Sequence, residues 1–522
     1  MKAMKFIVFV SLIISYTGLL AQTLEMDWGQ ASELPKNHYY QKIIGSDKDG
    51  FFTIQSKGIL GVNDETLTLE YYSTTTNAKE SSNQVITPTV NGNPTHYEEM
   101  FYLNGKIILF SSVNSSSRKV LYVQYLNTDG TLKNKPKEVG SIPVSNSSLD
   151  GFEIYINDAK KLVLSYHNTF AQYNGEPFIY KIFNSDLIEE TNVSLEIPLK
   201  ERSFEVTQSK ISKLGDIYML VKAEKIKDKK KESASATYEF MMMIYNSKKK
   251  TFNPFIITAD KYIPSHAIFG LDKEGNILIG GFFSNKTVKI ANEFLGAFYM
   301  KINPNILKAS VVDPKSAIKI FSKDLMAEFS QERNGETPDK YYNYVMKDLV
   351  VFENGGFAFL AEQQYTTSTT IIAPGTKQET KIDYYFYNDL VVCGVSKEGV
   401  LSWQIRIPKN QNSSDDKGYY HSIATFVDAN KLKIIFNDNR SNLNNKVAEK
   451  TKEIKNNPAL IPKGQAVLAT LYSDGSYEKY AMFKDEDAKF VIVPRMIIQA
   501  NKRYITYAQD GKSIKFGSFA FE

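Results

Sequence analysis

Leu271–Gly281 reads LDKEGNILIGG, and Val395–Pro408 reads VSKEGVLSWQIRIP. In both, a short polar turn ending in Gly leads into a run of β-branched, aromatic and large apolar residues. Gly, Asn and Asp tolerate the positive φ of tight hairpins, so each segment reads as strand, turn, strand. The same pattern extends outward in both directions. Several runs alternate apolar with polar residues, among them Lys106–Ser111, Tyr122–Leu126, Lys161–Tyr166 and Lys431–Phe436, as half-buried strands do. Two kinds of hairpin take turns along the chain. The first kind turns at Asp49–Gly50, Asn104–Gly105, Ala159–Lys160, Leu214–Gly215, Glu274–Gly275, Asn354–Gly355, Ala429–Asn430 and Ala500–Asn501. The second turns at Asp129–Gly130, Ser185–Asp186, Ser247–Lys248, Pro304–Asn305, Glu398–Gly399 and Asp474–Gly475.

A third marker keeps the same phase. An apolar residue followed by proline recurs at Leu34–Pro35, Ile142–Pro143, Ile197–Pro198, Ile263–Pro264 and Ile407–Pro408, with Thr87–Pro88 in step. Proline cannot donate to a β-ladder, so it belongs at a strand end or on an outermost strand. Four strands and two hairpins per unit predict an all-β chain, a β-propeller of about eight four-stranded blades. Seven blades is the alternative, if one weak repeat is an inserted hairpin. In architecture the chain resembles secreted bacterial β-propellers, without a WD dipeptide, a kelch double glycine or an Asp-box that would assign it to a named family. After Asn501 only two strands remain, Arg503–Gln509 and Ser513–Phe521. Thr23–Pro35, TLEMDWGQASELP, is therefore expected to supply the outer strand of the last blade and leave no open sheet edge.

The first 21 residues read as a signal peptide: Lys2 and Lys5, then an apolar run from Phe6 to Leu20 closing on Ala21. That run is shorter than the ~20 residues that span a bilayer. Residues 22–522 are expected to form a single propeller domain, exported to the periplasm or the extracellular space, with no integral membrane segment after cleavage. Lys and Arg number 63 against 58 Asp and Glu, a net charge of +5 that includes the two leader lysines. So small an excess predicts no nucleic-acid partner. One cysteine excludes an intrachain disulfide and a thiolate-rich metal centre, and Cys393 in LVVCGV reads as a buried small hydrophobe. No Gly-rich phosphate loop, nucleophile elbow or His-Glu-x-x-His occurs. A monomer without cofactor or metal is expected.

The long insertions fall at 224–236, 311–344, 364–381 and 438–463, in loops that share one face of a propeller, and Lys323–Glu332 has helical spacing of Leu325, Met326 and Phe329. Long loops on one rigid face suit binding. His96, His266 and His421 each stand nine residues before an inner-hairpin turn, which predicts one structural position, the start of the innermost strand, in blades 2, 5 and 7. Converging imidazoles could bind metal or serve catalysis. Recurrence of a polar ring by repeat descent explains the spacing more simply, and non-adjacent blades of a wide ring stand far apart, so no metal and no catalytic residue are assigned. Tyrosines crowd the same level. Tyr39, Tyr40, Tyr97, Tyr341, Tyr342, Tyr419 and Tyr420 are the candidate ligand contacts together with the three histidines, since Tyr offers apolar area and a hydroxyl at once. The reading is a binding module engaging a glycan or an envelope protein. Its alternative is a polysaccharide lyase or glycoside hydrolase using the histidines.

Overall fold

The computed structural model describes residues 24–59, 66–143, 151–166, 177–197, 199, 204–212, 214–224, 238–285, 293–305, 308–309, 317–329, 343–372, 379–444, 451–454 and 464–521. The leader, Tyr341 and Tyr342, and most of the 224–236 insertion lie outside them. Eight antiparallel sheets of four or more strands follow one another along the chain, beside one two-stranded hairpin. The innermost strands of blades 1 to 7 are His38–Ser46, His96–Leu103, Phe152–Ile156, Phe204–Ile211, Ile263–Leu271, Tyr344–Val351 and Ala424–Asp428. In blade 8 the inner strand is broken into Val491–Ile492 and Ile498–Ala500 by a 3-10 turn that begins at Pro494.

The turns form for the local reasons anticipated. Asn104 and Gly105 take φ of 50° and 78°, as the first hairpin of blade 2 requires. In blade 5, Asp272 caps its own turn: its carboxylate accepts from the amides of Glu274 and Asn276, and Gly275 donates to the Asp272 carbonyl. The proline marker holds for Pro143 and Pro408, both on outermost strands. Pro264 differs. It lies in the innermost strand of blade 5, next to a bulge at Ser265 where its missing N–H is tolerated.

Eight apolar clusters join successive blades, one at each interface. Between blades 1 and 2 lie Ile54, Leu69, Met100 and Leu109; between blades 8 and 1, Tyr40, Phe51, Tyr507 and Phe516. The remaining six interfaces are filled in the same way. Flat-faced blades packed side by side with no interface left open make a closed ring. Closure is by the N-terminal strand: Met26–Trp28 pairs with the last strand in the register Met26↔Phe519, Trp28↔Gly517, and Ser32–Glu33 continues with Glu33↔Ser513.

The insertions take definite forms where they are described. Residues 364–381 were expected as a loop but carry the second and third strands of blade 6 outward to Ile372 and Glu379 as a two-stranded ribbon. The reason is local, since Tyr365–Ile372 (YTTSTTII) is nearly all β-branched or aromatic. Helix α1 (Lys323–Phe329) forms as its spacing predicts, and Leu325 and Met326 pack on the core between blades 5 and 6. In blade 7, residues 451–454 cross to blade 6, where Ile454 runs parallel to Gln411 and bonds Asn410 and Asn412. Among the described residues no helix is long and apolar enough to cross a membrane.

Candidate functional site

Among the described residues, five innermost strands carry a bulge on the side away from the inner hairpin, with Gln41, Glu98, Thr207, Ser265 and Lys347 as the extra residues. A bulge re-aims the side chains beside it. In blade 2 the bulge lies next to a cavity of about 440 Å³ between blades 1 and 2. Its floor is the upper end of the blade 1–2 core, where Leu67, Val85 and Leu109 are all buried. Its wall comes from the link between the two blades. There a small hairpin, Thr89–Val90 against Asn93–Pro94, turns at Asn91–Gly92, where φ is 53° and 83°. Thr95 donates its amide to the Pro88 carbonyl at 2.9 Å, which sets Pro88, Pro94 and Thr95 against the cavity. His96 opens the innermost strand and is exposed; Tyr97 follows it, half-buried, in register with Ser111. The face is the one that bears the blade-to-blade links.

The cavity is hydroxyl-rich. Thr66, Thr87, Thr95 and Ser111 line it along with the Tyr97 ring. Two of these hydroxyls stand out: Thr95 Oγ1 and Ser111 Oγ are buried, at 6% and 1% residue exposure, and neither has a hydrogen-bond partner. A buried hydroxyl without a partner costs about 1–3 kcal/mol, so most are satisfied in folded proteins. Charge is arranged differently. Glu99 accepts from Tyr97 Oη at 3.1 Å and pairs with Lys42 at 2.9 Å; Glu98 pairs with Lys119 at 2.6 Å. Among the described residues, no carboxylate, ammonium or guanidinium lines the cavity itself.

The three histidines do not meet. His96 is the first residue of its strand, His266 the fourth of its own, and His421 lies in the link three residues before Ala424. In the ladder His96 and His266 do hold one position, paired with Ser112 and Phe282, each seven residues past its turn glycine (Gly105 and Gly275), whereas His421 falls outside its strand. His266 stands edge-on to Phe282 and Phe294, each 5.9 Å away, with Ser265 Oγ 3.0 Å from Nδ1. Burial, aided by the charge of Lys222, pushes its pKa down to about 4. His421 is buried within the link 415–423, 5.6 Å from the Tyr387 ring. Neither ring nitrogen makes a well-formed hydrogen bond, and burial with the nearby Lys409 charge lowers its pKa to about 3. Among the described residues no three His, Cys, Asp or Glu side chains could hold one metal ion.

Four of the tyrosines divide in the same manner. Tyr40, Tyr419 and Tyr420 are each 1% exposed and belong to the blade 8–1 core, so the expectation of a wet binding face is corrected for them. Tyr40 donates to Glu70 at 2.6 Å, Tyr419 to the Tyr40 carbonyl, and Tyr420 to Gln509 at 2.7 Å. Tyr39 is half-buried and meets the edge of Tyr419 at 5.3 Å. Only His96 and Tyr97, of the candidates within the described residues, line the cavity. Thr95 and Ser111 had no sequence signal, since Ser and Thr are ordinary strand residues.

A second polar cluster lies under the link between blades 6 and 7. Lys409, fully buried, donates to Glu362 at 2.7 Å, Gln411 at 2.8 Å and the Tyr387 carbonyl at 2.9 Å. Ser422 Oγ and Lys347 complete the shell of Glu362 at 2.7 and 3.2 Å. Burial alone would raise the Glu362 carboxyl, but Lys409 and Lys347 outweigh it and keep it ionised. Such a closed network fixes two blades against each other.

No family model matches the chain, and no curated protein matches it. Among solved structures the chain is similar to an ulvan lyase of polysaccharide lyase family 25, bound to -[GlcA(1-4)Rha3S]-, at 12% identity and a TM-score of 0.35 over 80% of this chain and 90% of that one. It is similar to an α-L-arabinanase from Penicillium chrysogenum complexed with arabinobiose, at 11% identity and a TM-score of 0.31 over 65% and 93%. A eukaryotic initiation factor stands as near, at 9% identity and a TM-score of 0.31 over 87% and 90%. At these identities the likeness is one of architecture alone.

Proposed function

We propose that the protein is an exported binding module that takes a carbohydrate in the cleft between blades 1 and 2. The observation that carries this reading is the pair of unpartnered hydroxyls, Thr95 Oγ1 and Ser111 Oγ, in the wall of a cavity of about 440 Å³. That volume falls in the range of small-molecule sites, about 300–1,000 Å³. Sugars present hydroxyls around their rim and C–H faces above and below. A site with loose hydroxyls, an aromatic ring and aliphatic walls meets both needs. Export rests on the charged and apolar leader ahead of residue 22.

Binding is favoured over turnover by what lines the cleft. Glycoside hydrolysis needs two carboxylates about 5–9.5 Å apart, and among the described residues no carboxylate lines this cavity. A histidine-based lyase would need the imidazoles together, whereas His266 and His421 serve other parts of the ring. The test is equilibrium binding across a glycan array, followed by product analysis of every sugar retained. Retention without cleavage, lost in Thr95→Val and Ser111→Ala, is the expected result. Cleavage of a retained glycan that disappears in His96→Ala would replace the binding module with the enzyme.

A further inference from the structure

We infer that the cleft between blades 1 and 2 selects uncharged sugars and turns away uronate- and sulfate-bearing ones. The inference rests on the carbohydrate reading above and adds the substrate class. Among the described lining residues, the buried polar atoms free to meet a ligand are hydroxyls, Thr95 Oγ1 and Ser111 Oγ, beside the exposed His96 ring. An anionic sugar needs a cation or a cluster of N–H donors to replace its water, because an ion moved into a confined site without a partner loses several kcal/mol. Two ammonium groups on the strands of blades 1 and 2 are already committed. Lys42 is held by Glu99 at 2.9 Å and lies 4.2 Å over the Phe101 ring; Lys119 is held by Glu98 at 2.6 Å and lies 5.7 Å from the Phe152 ring. Glu99 is itself held by the Tyr97 hydroxyl at 3.1 Å and the Met100 amide at 2.8 Å, and releasing Lys42 toward a ligand would break both its ion pair and its contact with Phe101. The small hairpin that closes the cleft contributes Pro88, Thr89, Val90, Asn93 and Pro94, none of which is charged. A neutral ring loses little on entering such a site and satisfies the two orphaned hydroxyls when it does.

The experiment is calorimetric titration of the full chain with two panels of equal length. One holds neutral trisaccharides (cellotriose, xylotriose, mannotriose, maltotriose); the other holds trigalacturonate and a sulfated trisaccharide, each at low and high salt. A neutral trisaccharide should bind with an affinity indifferent to salt, and the acidic ones at least about tenfold more weakly. Thr87→Lys, which adds a cation at an exposed lining position, should narrow that gap and make acidic binding salt-sensitive. Acidic sugars that bind the unaltered protein as tightly as neutral ones would overturn the inference and leave the carbohydrate reading standing. If neither panel binds to the unaltered chain or to Thr87→Lys, the carbohydrate reading falls and takes this inference with it.

Discussion

Thr95 and Ser111 show that a site can cost stability while it waits for its ligand. Each hydroxyl is buried without a partner, so removing it should relieve the free protein. Ser111→Ala and Thr95→Val are therefore expected to leave the unfolding free energy unchanged or raise it by about 1 kcal/mol each, with Tm following, while weakening sugar affinity about tenfold. A fall in both quantities would mean that the hydroxyls serve the fold instead. The buried imidazole of His421 makes a second prediction at this scale. Its folded pKa, about 3, lies below its ordinary 6.5, so the unfolded chain takes up the proton first. The stability it represents is complete above 6.5 and is lost as pH falls toward 3. Asp438 runs the other way: burial raises its carboxyl from 3.8 to about 6, and its contribution is lost as pH rises through that value. Tm measured from pH 7 down to 4 should accordingly fall less in His421→Gln than in the unaltered chain, and more in Asp438→Asn. Neither group's environment was legible in the sequence. Tyr419 and Tyr420 were expected among the ligand contacts at the start of an inner strand. They lie instead in a link where Asp415, Lys417, Gly418 and Ser422 all take positive φ, and both rings fold inward.

At the scale of the element, strand order was readable and element ends were not. Counting hairpins from Asp49 to Asn501 leaves one blade short of a strand, and only TLEMDWGQASELP could supply it. That arithmetic needs no tertiary information, and the register Trp28↔Gly517 bears it out. Trp28 explains why the strand docks where it does. Its ring meets Phe483 edge-on at 4.9 Å and covers Gly517, where a Cβ would stand 2.5 Å from the indole. Asp27 adds an ion pair with Arg503 at 2.6 Å, exposed enough to contribute little. Trp28→Ala should thus cost about 2–4 kcal/mol of a half-buried aromatic's packing, and Gly517→Ala should be destabilising through the same contact. Both are read by denaturant midpoint, and an effect within error for Trp28→Ala would show that backbone pairing alone holds the strand. By contrast, 364–381 was expected as a loop because Thr-rich stretches suggest exposure. β-branching decided for strand, and nothing in the local pattern says how far a hairpin projects beyond its sheet.

Over the whole molecule, the ring is held by eight side-by-side interfaces, of which the one between blades 8 and 1 joins the two ends of the chain. Seven blades form from contiguous sequence, whereas blade 8 must wait until residues 26–33 meet residues 513–519 across nearly the full chain length. Closing so long a loop is entropically costly, although the cost grows only with the logarithm of length. If pairing and not connectivity makes the ring, the closing strand can be moved. Met26 faces Phe519 and Glu33 faces Ser513 in antiparallel register, so residues 24–35 fused after the last residue through a short turn would enter the same groove as an ordinary hairpin. The permutant beginning at Lys36 should fold to a Tm equal to or above that of the parent, and refold faster, since its last contact is now local. It should also keep the cleft between blades 1 and 2 and bind the same sugar, because the small hairpin and the Ser111 wall are built from residues 66–111 alone. A chain that merely lacks 24–35 should instead expose the edge of Ser513–Phe519 and self-associate, which light scattering would register. A permutant that folds no better than this truncation would mean that residues 24–35 act only from the front of the chain, and closure by strand pairing would have to be abandoned.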